Sequence, residues 1–336
     1  MKTLSANRFQ HVFLLCLALS LNGCNSEDKP GLLDSMGYHK GKTKVWLKSP
    51  NAGYYVVQEV AGADPKTFYS KSLANKEGAT QIFGFDAQHV FWGSSPVEEA
   101  DLASFEYVGS EYSKDKSHGY CQSRKLTDDA AHFEIYDEFG RDSKNVYFAG
   151  GVFSDDAENF VRVGDADSRY YKDSTRCWYS ISEIAQADPK TMRHLGKDYA
   201  ADEKHVYHEM NRIDAASPLS FALLDHEFSR DAKSVFFQSE PIEGADPATF
   251  KVRNERIGTD KNHCYYYGAV IGEADPATFE VIDDFYCKDA KHVWINGGLI
   301  TGADPATFRV VDGPAGKSRD AKNEYDMAER AGAASR

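Results

Sequence analysis

The sequence predicts an all-β fold, a tandem repeat array of short antiparallel hairpins, and three observations support this prediction. A unit of 29 residues recurs, and the turn aspartates from Asp173 to Asp289 are separated by that interval in four successive steps. Alternating apolar segments such as Phe279-Glu280-Val281-Ile282 open the units, as half-buried strands do. Phe and Tyr dominate an aromatic fraction of 13%, which favours strands over helices. A fixed period of this length indicates an elongated, solenoid-like array of one supersecondary unit.

Each unit is predicted to hold two or three short strands around a tight turn. The third strand follows the turn aspartate, as Val293-Trp294-Ile295 follows Asp289. The segment Ala-Asp-Pro-x-Thr-Phe, seen at Asp275, predicts a one-turn helix because aspartate is a good N-cap and proline suits the first helical position. A β-propeller is the alternative, although propeller blades usually contain four strands and about 40–50 residues.

An aromatic residue occupies the same register after the turn in ten units. We expect these rings to stack between successive units as a continuous spine, each pair adding about 0.5–1.5 kcal/mol beyond burial. An exposed platform for sugars or bases is the functional alternative. The ten positions are Trp46, Phe91, Tyr120, Tyr147, Trp178, Tyr207, Phe236, Tyr265, Trp294 and Tyr325.

The N-terminal residues 1–23 have the pattern of a targeting segment. Lys2 and Arg8 precede the apolar stretch 12–21, which is too short to be a stable membrane anchor. Leu21-Asn22-Gly23-Cys24 resembles the lipobox of bacterial lipoproteins, which implies a lipidated Cys24 at the start of the mature chain; ordinary secretion is the alternative. Residue 25 is not aspartate, so the inner-membrane retention signal is absent and the expected location is the outer membrane.

The predicted organisation is a signal peptide over 1–23, the lipidated cysteine and a polar tether over 24–37, a repeat domain over 38–326 and a flexible tail over 327–336. The formal charge is −13, and loss of the two basic residues in the signal peptide takes it to −15. Such a charge disfavours nucleic acid and anionic lipid headgroups as ligands.

Two repeated sets of polar side chains, the turn histidines and the turn aspartates, are candidates for a metal site or a catalytic site. Histidine recurs three residues after the turn aspartate, but other units carry Asn, Arg or Ser there, which is typical of a solvated turn and predicts no metal site. The turn aspartates occupy equivalent environments, whereas a catalytic acid and base need different ones, so no catalytic residues and no cofactor are expected. The histidines in this register are His89, His118, His205, His263 and His292.

Four cysteines remain in the predicted mature chain besides Cys24. Outside the reducing cytoplasm pairing is expected, and four cysteines allow three connectivities. Cys264 and Cys287 lie in adjacent units, one just after its turn and one just before the next, so we predict a disulfide between them. A bond between Cys121 and Cys177 is a weaker prediction, because it spans two units.

The run Asp260-Lys261-Asn262-His263-Cys264-Tyr265-Tyr266-Tyr267 and its copies resemble the DKNYY repeat family of bacterial secreted and lipid-anchored proteins. The resemblance covers roughly residues 40–326. It implies repeated short antiparallel strands and no established catalytic residues. Some members occur beside secreted antibacterial effectors as presumed immunity proteins, so the resemblance implies an association with that role but no mechanism.

Two classes of function therefore compete. The first is a non-enzymatic, lipid-anchored cell-envelope protein that binds a protein partner. The most specific version of this hypothesis is an immunity or inhibitor role against a secreted toxin. The second is an envelope carbohydrate-binding protein or hydrolase. Units around residues 100–190 lose parts of the repeated pattern, so a binding surface is expected there.

Overall fold

The computed structural model describes residues 29–30, 35–311 and 317–325. Over these ranges every regular element is a β-strand, and the strands form ten antiparallel sheets in which neighbours along the chain are neighbours in the sheet. The fold is therefore the predicted all-β tandem array. The described residues divide into two compact units, one formed by those up to 142 with 147–151 and the other by 143–146 with those from 152 onward.

The strands before residue 143 form a three-stranded sheet, two four-stranded sheets and the first half of another. They are β1 (Gly37–Lys40), β2 (Val45–Asn51) and β3 (Tyr54–Glu59); β4 (Tyr69–Ala74), β5 (Thr80–Phe85), β6 (Val90–Trp92) and β7 (Ser95–Pro96); β8 (Glu106–Gly109), β9 (Tyr112–Lys114), β10 (Gly119–Cys121) and β11 (Arg124–Thr127); β12 (Glu134–Tyr136) and β13 (Phe139–Arg141).

The later strands complete that sheet and form six more, of which the last has three described strands. They are β14 (Val146–Phe148) and β15 (Gly151–Ser154); β16 (Val161–Arg162), β17 (Tyr170–Lys172), β18 (Cys177–Tyr179) and β19 (Ser182–Glu183); β20 (Arg193–Gly196), β21 (Tyr199–Ala201), β22 (Val206–His208) and β23 (Asn211–Ile213); β24 (Ala222–Leu223), β25 (Phe228–Arg230), β26 (Val235–Phe237) and β27 (Glu240–Pro241); β28 (Lys251–Val252), β29 (Ile257–Thr259), β30 (Cys264–Tyr266) and β31 (Ala269–Val270); β32 (Glu280–Val281), β33 (Tyr286–Lys288), β34 (Val293–Ile295) and β35 (Gly298–Leu299); β36 (Arg309–Val310), β37 (Ser318–Arg319) and β38 (Glu324–Tyr325).

A complete unit contains four strands, one more than the two or three predicted. Before β15, β31 and β35 the additional strand follows a turn of two residues with positive φ, such as Asn296 at 51° and Gly297 at 76°. Two consecutive residues of this kind give a hairpin whose twist matches that of the strands. The chain therefore reverses after β34 and pairs β35 with it, with Trp294 opposite Leu299.

The Ala-Asp-Pro-x-Thr-Phe segment is a turn rather than the predicted one-turn helix. Thr249 and Phe250 donate their backbone N–H groups to the carbonyl of Asp246, at 3.2 and 3.0 Å. The N-cap interaction expected from the sequence is present, since Asp246 Oδ1 accepts the N–H of Ala248 at 3.0 Å. The helix does not continue because the chain enters strand β28 directly after Phe250.

The hydrophobic core lies between consecutive sheets. One cluster joins Phe228 and Val235 of one sheet to Tyr265 of the next, with Ile242 and Phe250 of the connecting segment between them. Phe228 and Tyr265 both contact the ring of Phe250, with centroids 5.5 and 5.8 Å from it. The same three-ring arrangement places Phe308 between Tyr286 and Tyr325.

The predicted continuous spine of post-turn rings is therefore wrong in its connectivity. Along a strand pair, Phe228 faces Phe237 while Ser229 faces Phe236, so the pre-turn and post-turn rings of one sheet point to opposite sides. These cores hold the pre-turn ring of one sheet and the post-turn ring of the next, bridged by the Phe of the turn segment. In two other cores one ring is replaced, by Met192 in the turn segment and by Ile257 at the pre-turn position. The rings stabilise neighbouring pairs of sheets in separate groups.

The predictions for residues 1–23 and for Cys24, together with those for most of the tether and the tail, concern residues outside the described ranges. The described strands begin at Gly37 and end at Tyr325. Within the described ranges there is no helix long and apolar enough to cross a membrane.

Candidate functional site

The turn aspartate is the most highly connected side chain of each unit. In the unit of Asp260, Oδ1 accepts the backbone N–H groups of Asn262 and His263, both at 2.7 Å. Oδ2 accepts the backbone N–H of Asp246 at 2.8 Å and the hydroxyl of Tyr265 at 2.9 Å. One buried carboxylate therefore holds together the hairpin turn, the preceding Asp-Pro turn and the post-turn ring.

Burial would by itself raise the pKa of the Asp260 carboxyl, but these backbone N–H groups and the Tyr265 hydroxyl together lower it below its ordinary value. A lowered pKa of the same origin is found in other units. It occurs at Asp86, Asp115, Asp173, Asp202 and Asp289. These carboxylates remain ionised acceptors, and a row of equivalent ionised acceptors lacks the protonated partner that acid–base catalysis needs.

The aspartate of the Asp-Pro turn is also committed to structure. Asp246 Oδ2 accepts the hydroxyl of Thr249 at 3.0 Å, and Thr249 Oγ1 accepts the backbone N–H of Lys261 at 3.2 Å. The Lys261 ammonium returns to Asp246 Oδ2 at 2.9 Å. The repeated Asp, Thr and Lys of this unit therefore form one network that joins two turns.

The ten post-turn rings are all buried, with between 0 and 7% of each side chain exposed. Their hydroxyl groups, where present, donate to the turn aspartate of the same unit, as in Tyr120 to Asp115 at 2.6 Å and Tyr207 to Asp202 at 2.8 Å. A ring enclosed on both faces cannot stack on a sugar or a base. The platform alternative for these rings is therefore wrong.

A second recurring contact was missed by the sequence reasoning. The basic residue just before the turn aspartate donates to the carbonyl of the proline 17 residues later, in the turn segment of the next unit. Lys172, Arg230 and Lys288 do so at 2.7, 2.6 and 3.2 Å, to Pro189, Pro247 and Pro305 respectively. We call this contact the cation–proline link. The recurrence of Lys or Arg before the turn aspartate was the signal that could have revealed it.

The histidines of the turn register do not come together. Nδ1 of His118 and of His205 lies 3.7 and 3.8 Å from the turn aspartate of its own unit, and Nδ1 of His263 lies 3.4 Å from the hydroxyl of Tyr265. Among the residues that the structure describes, no three His, Cys, Asp or Glu side chains are placed to hold a metal ion.

The four cysteines of the repeat domain are free and buried, so the predicted Cys264–Cys287 disulfide is absent. Both side chains do pack into one core cluster. However, they belong to consecutive stacked sheets, which typically lie about 10 Å apart, whereas a disulfide needs Cα atoms within about 7 Å. The weaker prediction of a bond between Cys121 and Cys177 is also wrong, since both are free. Burial raises the pKa of each of these thiols to about 12.

Neither the curated proteins nor the solved structures contain a match to this chain. The model of the DKNYY family matches residues 38–211 and 206–329, which together span nearly all the described strands. The residues on which the resemblance rests belong to the turn network: Asp260 accepts four hydrogen bonds, Lys261 binds Asp246 and Tyr265 donates to Asp260. The chain belongs to the DKNYY family.

Proposed function

We propose that this chain is a non-enzymatic cell-envelope protein that binds a protein partner through its repeat array. The observation that carries the proposal is the saturation of the repeated acids: in the unit of Asp260, one carboxylate accepts three backbone N–H groups and one hydroxyl. Side chains consumed in this way hold a scaffold together. A scaffold of repeated units offers an extended surface, which is the usual use of such arrays.

The alternative, an envelope carbohydrate-binding protein or hydrolase, has less support. It would need exposed rings or a pair of carboxyls in unlike environments. The post-turn rings are buried, and the turn aspartates that show a pKa shift all shift downward and from the same kinds of donor. The exposed tyrosines Tyr54, Tyr69 and Tyr267 lie outside the post-turn register, so they do not form the repeated platform that this alternative predicts.

The proposed location is the cell envelope, with the chain held by lipid at Cys24, on the outer membrane. Support comes from the sequence, where an apolar segment ends in Leu21-Asn22-Gly23-Cys24. Two or more acyl chains are needed for a stable anchor, since each buried CH₂ contributes about 0.8 kcal/mol. The test is metabolic labelling with an alkyne fatty acid: the full chain should take up label, and Cys24→Ser should not.

The proposed partner is a protein, and a secreted toxin is the sharpest candidate. An immunity or inhibitor role requires only a tight and specific surface, which fits a chain whose repeated polar groups are used internally. The experiment is an affinity pull-down of the mature protein from envelope and secreted fractions, followed by growth assays with any captured toxin. Recovery of one toxin, and protection of cells by the chain, would support the proposal; turnover of an envelope polysaccharide by the purified chain would contradict it.

A further inference from the structure

The unit of Asp260 contains an open groove at a position where neighbouring units have the cation–proline link. The groove has a volume of about 500 Å³, and Phe250, Lys251, Arg253, Thr259 and Pro276 are among its lining residues. It lies between the turn segment that precedes strand β28 and the one that follows strand β31. All of its lining residues belong to the second compact unit.

The groove is located where the cation–proline link is missing. The residue before the turn aspartate is Thr259 instead of lysine or arginine, and the corresponding proline, 17 residues later, is Pro276. Thr259 is 98% buried and its short side chain cannot reach across. No side chain of the described residues donates to the Pro276 carbonyl, whereas the prolines of the neighbouring units, Pro247 and Pro305, both receive a cation.

The unit of Ala201 shows how the array otherwise compensates for such a loss. There too the basic residue is missing, but Arg193, paired with Ala201 across the sheet, donates to the Pro218 carbonyl at 3.0 Å. Lys251 occupies the register of Arg193, since it pairs with Thr259. Nevertheless, Lys251 makes no such bond, so the groove stays open.

Two cations of the groove have unused hydrogen-bonding capacity. The Arg253 Nε donates to Thr259 Oγ1 at 2.9 Å, which fixes the guanidinium beside the groove while its two terminal nitrogens have no partner among the described residues. The Lys251 ammonium likewise has no partner there. The remaining charged groups of the lining are paired: Asp260 accepts four hydrogen bonds, and Lys261 is bound to Asp246.

Glu280 is a further acidic residue that could reduce the positive charge of the groove. Arg253 also borders a smaller depression with Glu280, but Glu280 lies beside the Lys288 ammonium at 3.6 Å. The groove is therefore locally basic on a chain whose formal charge is −13. An occupant must bring an anionic acceptor for Arg253 and Lys251 together with a donor for the Pro276 carbonyl.

We propose that this groove binds an acidic peptide segment of the protein partner. A carboxylate of the segment accepts from Arg253 and Lys251, and a neighbouring backbone N–H donates to the Pro276 carbonyl, replacing the missing link. A peptide carries both groups at short spacing, and an arginine guanidinium recognises a carboxylate through two parallel hydrogen bonds. This inference rests on the proposed binding function and gives it a site and a ligand class.

The test is fluorescence anisotropy of the full mature chain with a short fluorescein-labelled peptide of alternating Glu and Gly. Arg253→Gln should weaken binding about tenfold or more, because it removes a charge-assisted hydrogen bond to the carboxylate of the peptide. Thr259→Lys should abolish binding by rebuilding the cation–proline link inside the groove. The matched control Arg309→Gln removes an equal charge at the Lys251 register of the last described sheet and should change the affinity less than twofold.

Competition experiments distinguish recognition of an acidic peptide from binding of a simple anion. A Lys–Gly peptide, sodium acetate and inorganic phosphate should fail to displace the acidic peptide at equal concentration. Displacement by acetate or phosphate would make the groove a simple anion site and overturn the proposal, as would undiminished binding by Thr259→Lys or Arg253→Gln. Arg253→Gln replaces an exposed side chain, so it remains informative if Thr259→Lys does not fold.

A pull-down with the same variants distinguishes this inference from the proposed function. If the wild-type chain and Thr259→Lys capture the same partner equally well, the groove proposal fails and the binding function stands. If the acidic peptide binds in the predicted way but no protein is captured, the groove stands and the proposed function loses its support.

Discussion

Replacing Asp260 by alanine removes the acceptor of four hydrogen bonds at once. The donors are the backbone N–H groups of Asp246, Asn262 and His263 and the hydroxyl of Tyr265, all within 2.9 Å of the carboxylate. A buried donor left without a partner costs about 1–3 kcal/mol. Water can reach some of these donors in the turn, so we expect a loss of about 3–5 kcal/mol in the free energy of unfolding.

The assay is chemical denaturation combined with hydrogen exchange. A repeat array need not unfold in one step, so the exchange rates of the amides in residues 246–274 report the local loss directly. These amides should exchange faster by the factor that corresponds to the measured destabilisation, while the amides of distant sheets change less.

Two comparisons make this prediction refutable. Tyr265→Phe removes one of the four donors and keeps the ring, so it should cost only about 1–2 kcal/mol. Glu255→Ala removes an equal charge from an exposed position of the same hairpin and should lie within about 0.5 kcal/mol of the wild type. A loss below about 1 kcal/mol for Asp260→Ala, or one equal to that of Glu255→Ala, would refute the view that the turn aspartate holds the unit together.

Three further predictions follow from the same packing and electrostatics. Gly258→Ala should cost about 1–3 kcal/mol in thermal or chemical denaturation, because a Cβ there would overlap the Phe250 ring, whereas Gly272→Ala has open space and should be nearly neutral. The free energy of unfolding should decrease in acid, because the turn aspartates have a lowered pKa in the folded state. Their contribution is complete above the pKa of an unfolded carboxyl, about 3.9, and is lost as the pH falls through the lower folded pKa. A pH series of denaturation midpoints that stays flat below pH 4 would contradict this prediction. Cys264 and Cys287 should resist a thiol reagent in the native protein, since both are buried with a pKa raised to about 12, and should react without added reductant once it is denatured; failure to react then would indicate a disulfide.

The period and the pattern within it were enough to predict the fold class. A unit that recurs every 29 residues must place equivalent residues in equivalent environments, so one good copy describes the others. In the most regular units the fourth strand is only two residues long, as in Gly298–Leu299, and two residues carry no alternating pattern from which a strand could be predicted. The turn before it was visible in the sequence as Asn296-Gly297, a pair that favours a tight hairpin and could have predicted a returning strand.

The packing of the rings could not be predicted, because it depends on which face of a strand meets which neighbour. The sequence places Phe236 in a strand but does not say that the pre-turn Phe228 lies on the other face, eight residues earlier and across a turn. The disulfide prediction was wrong for a related reason. Proximity along the chain brought Cys264 and Cys287 into one core, while the spacing between stacked sheets kept their backbones apart.

The unit of Asp260, and not the degenerate middle units, has the best-defined candidate binding site. The sequence predicts a binding surface in the degenerate units around residues 100–190, because divergent copies can have a different role. The unit of Asp260 is more informative, because it keeps the aspartate network intact and changes one position, Thr259, in a link that its neighbours retain. A general loss of pattern weakens many contacts and indicates no particular ligand. A single missing contact leaves a defined groove, here with the cations of Lys251 and Arg253 on one side and the Pro276 carbonyl on the other. The charges and hydrogen-bonding groups of that groove restrict which ligand can bind in it.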